Sequence, residues 1–369
     1  MLSLYIKGLK NTFVSKRGKA MDTIIEIIGK GKDDFIYEEA SAILKAGGLV
    51  AFPTETVYGL GADALNEEAA KQIYVAKGRP SDNPLIVHIA DFDAVPKLAR
   101  EISDKAKMLM DAFWPGPMTL VMKKTDTVPL GVTGGLDTVA IRMPSHPVAH
   151  KLLAESGVYI AAPSANTSGR PSPTLAAHVI DDMNGKINMI IQDDTVDVGI
   201  ESTIIDVTSD DIMVLRPGKI TLEMIAEVVG AVRLDPAIAG EKIIVGQPKA
   251  PGMKYKHYAP KAELTIVEGD ENSVVNYINS QCAESVSKGG KIGIIATDST
   301  KSRYEFGEVR SLGDRQDEAS IARHLYAVLR EFDDMDVDYI YSESFERNNV
   351  GQAIMNRLIK AAGHKLITV

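Results

Sequence analysis

From residue 263 to the end, the chain alternates regularly between short apolar segments and longer amphipathic ones. The predicted strands and helices, in chain order, are 263–267, 272–287, 291–296, 317–332, 338–342, 350–362 and 365–368. Strands joined through helices of this length form parallel sheets, because a crossover returns the chain to the same end of the sheet. The pattern therefore predicts a small parallel, doubly wound domain over 262–369.

A segment rich in proline and glycine, 236–261, separates this domain from the preceding part of the chain. It has no helical period, and an irregular stretch of this length is usually functional or disordered. The 369 residues are too many for one compact core. We therefore expect a first domain over 22–235, a linker over 236–261 and a second domain over 262–369.

The first domain mixes strand and helix patterns less regularly. The predicted helices are 38–46, 66–77, 103–113, 146–155, 175–183 and 221–230. The predicted strands are 49–52, 85–89, 119–123, 138–143, 158–161, 188–192 and 202–207. This order indicates an α/β or α+β domain with a mixed sheet.

Residues 1–21 are basic and contain no acidic side chain before Met21. They lack the apolar segment and the cleavage site of a secretory signal, although a short organelle-targeting segment stays open. We expect a disordered extension ahead of a second start at Met21.

Charge and cysteine content exclude several classes of protein. Fifty acidic side chains outnumber 41 basic ones, giving a net charge of −9, whereas a nucleic-acid-coating protein is expected to be basic. The one cysteine, Cys282, forms no internal disulfide and no thiolate zinc cluster. The sequence contains no run of 18 apolar residues, so it predicts no membrane-spanning helix. These features favour a cytoplasmic protein without a membrane partner.

The string PTETVYGLGADA, residues 53–64, combines hydroxyls with glycines that could let a backbone approach a ligand. Thr54, Thr56 and Tyr58 supply the hydroxyls. The spacing Gly59-x-Gly61-x-x-Ala64 imitates a dinucleotide-binding fingerprint only weakly, because the expected short turn after a strand is missing.

Basic side chains follow several predicted elements. Lys77 and Arg79 end a helix, with Asn83 in the next turn; they suit a triphosphate or merely complement the helix dipole. Arg142 ends a strand and suits either a bound carboxylate or a surface salt bridge. His88 lies in an apolar strand with Ile86 on the same face, and it is either a ligand group or a packed histidine.

Two further strings carry hydroxyls and cations. APSANTSGRPSPT, residues 162–174, presents hydroxyls and backbone N–H groups that suit an oxyanion. GIESTIIDVT contains Ser202, and VLRPGKIT contains Arg216 at a strand end. Four separated cations among hydroxyls predict a polyanion site. No Walker, HExxH or GxSxG pattern occurs, so phosphate chemistry of the P-loop kind is not indicated.

Taken together, these strings resemble the YrdC-like family, and within it the two-domain threonylcarbamoyl-AMP synthases. The strings that carry the resemblance are PTETVYGLGADA, KGRPSDNPLIVHI, WPGPMTLV, VAIRMPSHPVA, APSANTSGRPSPT, ESTIIDV, LRPGKIT, PGMKYKHYAP and GQAIMNRLIKAAG. They span about residues 22–369. The resemblance implies a twisted mixed-sheet YrdC-type domain with a concave groove, followed by a smaller Rossmann-like C-terminal domain.

The resemblance also implies a nucleotidyltransferase that converts L-threonine, bicarbonate or CO2, and ATP to L-threonylcarbamoyladenylate and pyrophosphate. The product would pass to a tRNA threonylcarbamoyl transferase complex for threonylcarbamoyladenosine synthesis, and a weak contact with tRNA stays open. Mg²⁺ would be held mainly by the ATP phosphates. The implied threonine site is Thr56, His88, Arg142 and Ser202. The implied ATP site is Lys77, Arg79, Asn83, Thr138, Ser164, Ser172, Arg216 and Tyr255. No residue is assigned as a general acid or base.

Two alternatives follow from the same family. A YrdC-like module could bind double-stranded RNA or tRNA without catalysis, but the acidic net charge and the hydroxyl clusters argue against it. A carbamoyl-adenylate domain of hydrogenase maturation would need zinc-finger cysteines, which a single cysteine cannot supply.

The linker string PGMKYKHYAP groups Lys254, Tyr255, Lys256, His257 and Tyr258, which suit a nucleotide. A passive tether would be rich in Gly and Ser or in charge. We expect the linker to act as a lid over the groove and to exclude water from the product.

Overall fold

Two separate β-sheets organise the chain in the computed structural model, which describes residues 21–31, 33–193, 196–236, 238, 248–251 and 257–369. The predicted extension 1–21 lies outside these residues except for Met21. Most of the predicted linker lies outside them too, leaving 236, 238, 248–251 and 257–261. No helix within the described ranges is long and apolar enough to cross a membrane.

The larger sheet has 11 strands among the described residues. They are β1 (Ile24–Ile27), β2 (Val50–Phe52), β3 (Gly59–Asp63), β4 (Ile86–His88), β5 (Met118–Lys123), β6 (Thr138–Arg142), β7 (Ile160–Ala161), β8 (Met189–Gln192), β9 (Thr203–Asp206), β10 (Ile212–Arg216) and β11 (Val232–Leu234). Their order in the sheet is β1-β8-β2-β3-β7-β4-β6-β5-β9-β10-β11. The sheet is mixed: β1, β8 and β2 pair in parallel, β2, β3, β7 and β4 pair antiparallel, and beyond β4 the two kinds of pair alternate, as between β4 and β6 (parallel) and between β6 and β5 (antiparallel).

The helices of this part of the chain pack against the larger sheet. They are α1 (Asp33–Lys45), α2 (Glu67–Lys77), α3 (Val95–Leu98), α4 (Asp104–Phe113), α5 (Leu130–Thr133), α6 (Pro147–Ser156), α7 (Ala176–Met183) and α8 (Leu222–Val229). The ends of α2 follow the predicted signals. Asn66 accepts hydrogen bonds from the N–H groups of Glu68 and Ala69, and Gly78 closes the helix in the left-handed conformation at φ 61°.

The smaller sheet is entirely parallel. Its strands are β12 (Glu263–Glu268), β13 (Ile292–Ala296), β14 (Glu308–Ser311), β15 (Tyr339–Glu343) and β16 (Leu366–Thr368). Their order is β14-β13-β15-β12-β16. The connecting helices are α9 (Glu271–Ser287), α10 (Glu318–Met335) and α11 (Asn349–Ala361). A mixed-sheet domain followed by a smaller doubly wound domain confirms the predicted fold class.

Strand β3, which contains Gly59 and Gly61, was not predicted. A Cβ at Gly61 would lie 2.7 Å from Ile160 Cγ2 and 2.9 Å from Phe52 Cε1. The glycine therefore admits the neighbouring side chains of β7 and β2. Packing within the sheet accounts for Gly61, so the weak dinucleotide fingerprint gains no support at this position.

Candidate active site

A pocket lies where several strand ends of the larger sheet meet the linker. The loop after β2, the end of β4 and the end of β6 form one side, and the segments before β9 and after β7 and β10 form the other. The lining residues are Thr54, Thr56, Val57, Tyr58, Gly59, Arg79, Ile86, His88, Arg142, Ala162, Pro163, Ser164, Glu201, Ser202, Arg216, Pro251, His257 and Tyr258. The structure thus brings together seven of the predicted site residues.

Arg142 is buried at the end of β6 and retains unused hydrogen-bonding capacity. One terminal nitrogen, Nη1, donates to Thr56 Oγ1 at 3.0 Å. Its Nη2 lies 2.8 Å from Glu55 Oε1 as an ion pair. Nε is buried too and makes no hydrogen bond in the described residues, whereas Nη2 has Glu55 as its partner. Buried donors are almost always satisfied in proteins, so the unpaired Nε indicates a bound acceptor.

Glu55 is a buried carboxylate that no sequence pattern indicated. Burial, the largest single effect, would raise its pKa, but the charge and hydrogen bond of Arg142 together with backbone hydrogen bonds lower the pKa overall. Glu55 therefore stays ionised, and the pocket holds an arginine and a carboxylate side by side. Such a pair matches the two charges of an amino acid.

His88 lies beside Arg142 in the parallel register of β4 and β6. Burial, followed by the nearby Arg142 charge, lowers its pKa to about 3, so the imidazole is neutral at pH 7. Its Nδ1 lies 3.1 Å from the carbonyl oxygen of Ile86, which can only accept a hydrogen bond. Nδ1 therefore carries the proton, and Nε2 keeps a lone pair.

Arg79 and Arg216 add two more buried cations. Arg79 donates through Nη2 to the carbonyl oxygens of Asn83 and Pro84 at 3.3 and 3.1 Å, and its buried Nε has no hydrogen bond. Burial lowers its pKa to about 10, which leaves it protonated at neutral pH. Arg216 is held at the end of β10 by Ser202, with Nε donating to the carbonyl oxygen at 3.0 Å and Nη2 to Oγ at 3.1 Å.

Three predicted ATP residues lie behind the pocket wall. The Lys77 amine is 2 % exposed and donates to the carbonyl oxygens of Ser164 and Asn166. These two hydrogen bonds hold the 162–174 loop in place. Burial lowers the pKa of Lys77 well below the usual range. Ser172 donates to Glu201 Oε1 at 2.6 Å. Asn83 is buried, with its Oδ1 making no hydrogen bond.

Thr138 lies at the opposite end of β6 from the pocket. It begins the strand, whereas Arg142 ends it, which separates the two residues by about 13 Å at the usual rise per residue. The structure does not bring Thr138 to the pocket, because the pocket lies at the other end of its strand. Thr119 is the hydroxyl at that end: it pairs with Arg142 in the register of β5 and β6, and its Oγ1 lies 2.8 Å from Ser202 Oγ. Tyr255 lies outside the described residues.

Glu201 connects the pocket to the second domain. Its carboxylate accepts from Ser172, from Tyr326 Oη at 3.0 Å and from Arg357 Nε at 3.0 Å. Tyr326 lies on α10 and Arg357 on α11. Burial would raise the Glu201 pKa, but the charges of Arg357 and Arg216 bring it down to about 2. No local pattern predicts this cluster, because its partners are far apart in sequence.

Three described residues of the linker, Pro251, His257 and Tyr258, line the pocket. Pro251 accepts from Arg216 Nη1 at 3.5 Å, and the ring of Tyr258 stacks on that of Tyr326 at 5.2 Å. His257 Nε2 is buried without a hydrogen bond, and burial, together with Arg79, lowers the pKa of this histidine to about 3. The backbone N–H of Ala259 donates to Gly169 at 2.9 Å, which fixes the linker to the 162–174 loop.

Side chains for a protein-held metal are missing from the part of the chain that the structure describes: no three His, Cys, Asp or Glu residues there form a metal-binding group. The pocket instead concentrates donors. Three buried arginines and several hydroxyls surround a small space, and two of these arginines carry unpaired N–H groups. The arrangement can bind an anion at more than one point.

Two family profiles match successive parts of the chain. The profile described as "Telomere recombination" covers residues 42–218. The profile described as "Threonylcarbamoyl-AMP synthase, C-terminal domain" covers residues 220–363.

Curated relatives and a solved structure extend the likeness over both domains. A threonylcarbamoyl-AMP synthase of Pyrococcus abyssi is 49% identical over 94% of this chain and 100% of its own length. One from Bacillus subtilis is 48% identical over 89% of this chain and 93% of its own length. The crystal structure of P. abyssi Sua5 complexed with L-threonine has a TM-score of 0.89 at 49% identity, covering 94% of this chain and 100% of that one. With both domains matched at this identity and the fold shared from end to end, the chain belongs to the threonylcarbamoyl-AMP synthase family.

Proposed function

We propose that this protein joins L-threonine, bicarbonate or CO2, and MgATP to form L-threonylcarbamoyladenylate and pyrophosphate, as a nucleotidyltransferase. The observation that carries the proposal is the convergence of Arg79, Arg142 and Arg216 on one pocket. Its unpaired buried donors fit a ligand with several anionic groups. The names of the relatives, and the threonine complex of one of them, agree with this activity.

Threonine would bind at the Arg142 end. The unpaired Nε of Arg142, with the second N–H of Nη2, suits a two-pronged contact with the amino-acid carboxylate. Glu55, 2.8 Å from Nη2, supplies a negative charge for the ammonium group. His88 is a neutral neighbour, and the hydroxyls of Thr56 and Ser202 are within the same pocket. The site therefore offers one partner for each polar group of a hydroxyl amino acid.

ATP would bind at the Arg79 and Arg216 end. Arg79, Ser164 and His257 line the pocket and face the phosphates in this proposal, and Arg216 lies between them and Ser202. Lys77, Asn83 and Ser172 support the wall behind. Tyr255, in the linker, is retained as an ATP residue of the proposal. Mg²⁺ enters with the nucleotide, because its preferred ligands are phosphate oxygens and water.

The reaction needs charge neutralisation more than a strong base. The threonine ammonium group first releases a proton to solvent. The resulting amine bonds to the carbon of CO2, supplied directly or formed from bicarbonate and a proton with loss of water, and releases a second proton to solvent, giving a carbamate. A carbamate oxygen then bonds to the α-phosphorus while the bond to the β-phosphate oxygen breaks and pyrophosphate leaves. Both reactants are anions, so arginines that neutralise and align them lower the barrier. Because the carbamate is itself the nucleophile, no side chain is needed to deprotonate it.

The product is a mixed anhydride that water destroys, so a covered pocket is useful. Pro251, His257 and Tyr258 of the linker already line the pocket, which supports a lid role for the linker. We propose that a tRNA threonylcarbamoyl transferase complex uses the product in the cytoplasm. Mass spectrometry tests the activity directly: incubation with ATP, threonine and ¹³C-bicarbonate is expected to give threonylcarbamoyladenylate carrying one ¹³C. Failure to form it from active, folded protein would refute the proposed function.

A further inference from the structure

The second domain has a crevice of its own, away from the catalytic pocket. Strands β12 and β15 are adjacent and parallel in the smaller sheet. The chain leaves β12 through α9, which packs on one face with Val267 and Ile294. It leaves β15 through α11, which packs on the opposite face with Leu264 and Ile266. Neighbouring strands whose connections leave to opposite faces open a crevice at their carboxyl ends, where α/β proteins bind ligands.

A cavity of about 200 Å³ occupies this crevice. It is lined by Gly269, Glu271, Val274, Arg315, Glu343 and Ser344. None of these residues lines the catalytic pocket. The size suits a small polar molecule and is below that of a typical drug-sized site.

Arg315 is held rigidly at this cavity. It forms an ion pair with Glu343 through Nη2 and donates through Nη1 to the carbonyl oxygen of Ser344 at 3.0 Å. Its guanidinium carbon lies 5.6 Å from the centre of the Phe345 ring. Its Nε is buried and makes no hydrogen bond in the described residues, although 32% of the side chain is exposed. A guanidinium group has five N–H donors, and the contacts above use only some of them. Arg315 therefore presents unused donors in a fixed orientation at the crevice.

Glu343 orients this arginine and offers nothing to a ligand. It is 1 % exposed. Oε1 accepts from Thr300 and from Tyr304 Oη at 2.8 Å, and Oε2 accepts from Arg315 and from Thr297 at 3.4 Å. With both oxygens saturated and its charge paired, the carboxylate does not repel an anion strongly.

The other acidic groups at the cavity are also engaged. Glu271 pairs with Arg303 Nη1 at 2.7 Å. Asp270 caps α9 by accepting from the N–H groups of Asn272 and Ser273, both at 3.1 Å. The amino terminus of this 17-residue helix, whose dipole favours negative charge, opens at the same cavity.

We propose that the β12–β15 crevice is a second ligand site, which binds a small oxyanion, a phosphate or a carboxylate group, through Arg315. The site is independent of the catalytic pocket and of the proposed reaction. It gives the second domain a binding function of its own.

The test is an NMR titration of the full chain labelled with ¹⁵N-arginine. The Arg315 Nε–Hε signal, assigned with Arg315→Gln, is followed during addition of sodium phosphate or sodium acetate at constant ionic strength. Arg310 is the matched control, since its side chain is 31% exposed, does not line the cavity, and is paired with Glu308 on β14 and Glu331 on α10. We expect the Arg315 signal to shift in a saturable manner while that of Arg310 stays in place.

The two anions separate the two sources of the ligand group. A shift with phosphate alone assigns a phosphate ligand, and a shift with acetate alone assigns a carboxylate. Calorimetry on the anion that binds at this site should show that Arg315→Lys, which keeps the charge but loses the fork, weakens its binding at least about tenfold. The proposal is overturned if neither anion moves the Arg315 signal, or if the Arg310 signal moves to the same extent. These readouts do not depend on catalytic activity, so failure of the proposed function leaves them unaffected.

Discussion

Arg357, on the second domain, donates through Nε to the Glu201 carboxylate at 3.0 Å, and Glu201 lines the catalytic pocket of the first. Arg357 is fully buried, and its Nη1 and Nη2 donate to the carbonyl oxygens of Pro217 and Glu201. These contacts therefore fix the backbone at Pro217, next to Arg216, and at Glu201, next to Ser202. The second domain is part of the wall that shapes the active site.

Replacing Arg357 with Met should leave the buried Glu201 carboxylate without its ion-pair partner. Removing one partner of a buried ion pair typically costs about 3–5 kcal/mol of unfolding free energy. Chemical denaturation measures it, with Arg347→Met as the control, because Arg347 makes an exposed pair with Glu268. If Arg357→Met does not fold, Tyr326→Phe removes one donor to Glu201 and should still lower stability by about 1 kcal/mol. Stability equal to wild type for both variants would contradict this role.

The Glu201 cluster also predicts an acid limit. The folded-state pKa of Glu201 is about 2, below the ordinary 4.5, so its contribution is complete above pH 4.5 and is lost as the pH falls towards 2. His88 acts in the same direction over a higher range, since a histidine with a depressed pKa favours the unfolded state as the pH falls from 6.5 towards 3. Ser172→Ala should reduce the loss below pH 4.5 specifically, because the Ser172 hydroxyl donates to Glu201 and helps to lower its pKa. An identical acid profile for wild type and variant would exclude the Glu201 contribution.

Helix ends and the doubly wound domain could be predicted from the sequence, because their signals are local. Asn66 and Gly78 mark the ends of α2 by their own hydrogen bonding and backbone geometry. Strand β3 could not, since its two glycines are explained only by the side chains of Phe52 and Ile160 across the sheet.

The candidate site was predictable to the extent that its residues lie in strings with polar groups at strand ends. Arg142 and Arg216 were singled out in this way, whereas His88 entered the predicted site through the family resemblance. The distance of Thr138 from the pocket could not be predicted, because the pairing of β5 with β6 decides which end of each strand meets the pocket. For the same reason Thr119, opposite Arg142, was not singled out. The Arg357 contact was missed because it joins residues 156 positions apart.

Thr119 and Thr138 give a direct contrast between the structure and the sequence prediction. Thr119→Ala should lower turnover, because it removes the hydroxyl that contacts Ser202 Oγ at 2.8 Å. A neutral hydrogen bond of this kind contributes about 1 kcal/mol, which corresponds to roughly a fivefold loss of kcat/KM. Thr138→Ala, at the far end of β6, should be as active as wild type. Steady-state kinetics measure both variants. A lower kcat/KM for Thr138→Ala than for Thr119→Ala would contradict the position of the pocket at the Arg142 end of β6.

His88 should remain neutral through the range in which enzymes are assayed. Its pKa of about 3 predicts no titration between pH 5 and pH 8, with the proton on Nδ1 throughout. Long-range ¹H–¹⁵N NMR of the imidazole nitrogens measures both the protonation state and the tautomer. The spectrum of His88→Gln identifies the signal. A titration centred near pH 6.5 would contradict the burial and the Arg142 neighbour that set this pKa.

Arg142 should be specific for threonine. Arg142→Lys keeps the charge but cannot make a two-pronged contact, so we expect threonine binding to weaken by about 2 kcal/mol while ATP binding is unchanged. Calorimetry with each ligand separately gives both values. Arg233→Lys is the control, since Arg233 is an exposed arginine on β11 that pairs with Asp211. Equal losses for threonine and ATP would place Arg142 elsewhere in the site.

Pyrophosphate release, with each substrate left out in turn, tests the central claim most directly. A pocket that aligns a threonine carbamate with the α-phosphate of ATP predicts release only when ATP, threonine and bicarbonate are all present. A high threonine concentration should restore part of the rate of Arg142→Lys, because the defect of this variant is in threonine binding. Arg233→Lys should match wild type. Release at the same rate without threonine, or without bicarbonate, would show that the pocket hydrolyses ATP and would contradict the synthase account.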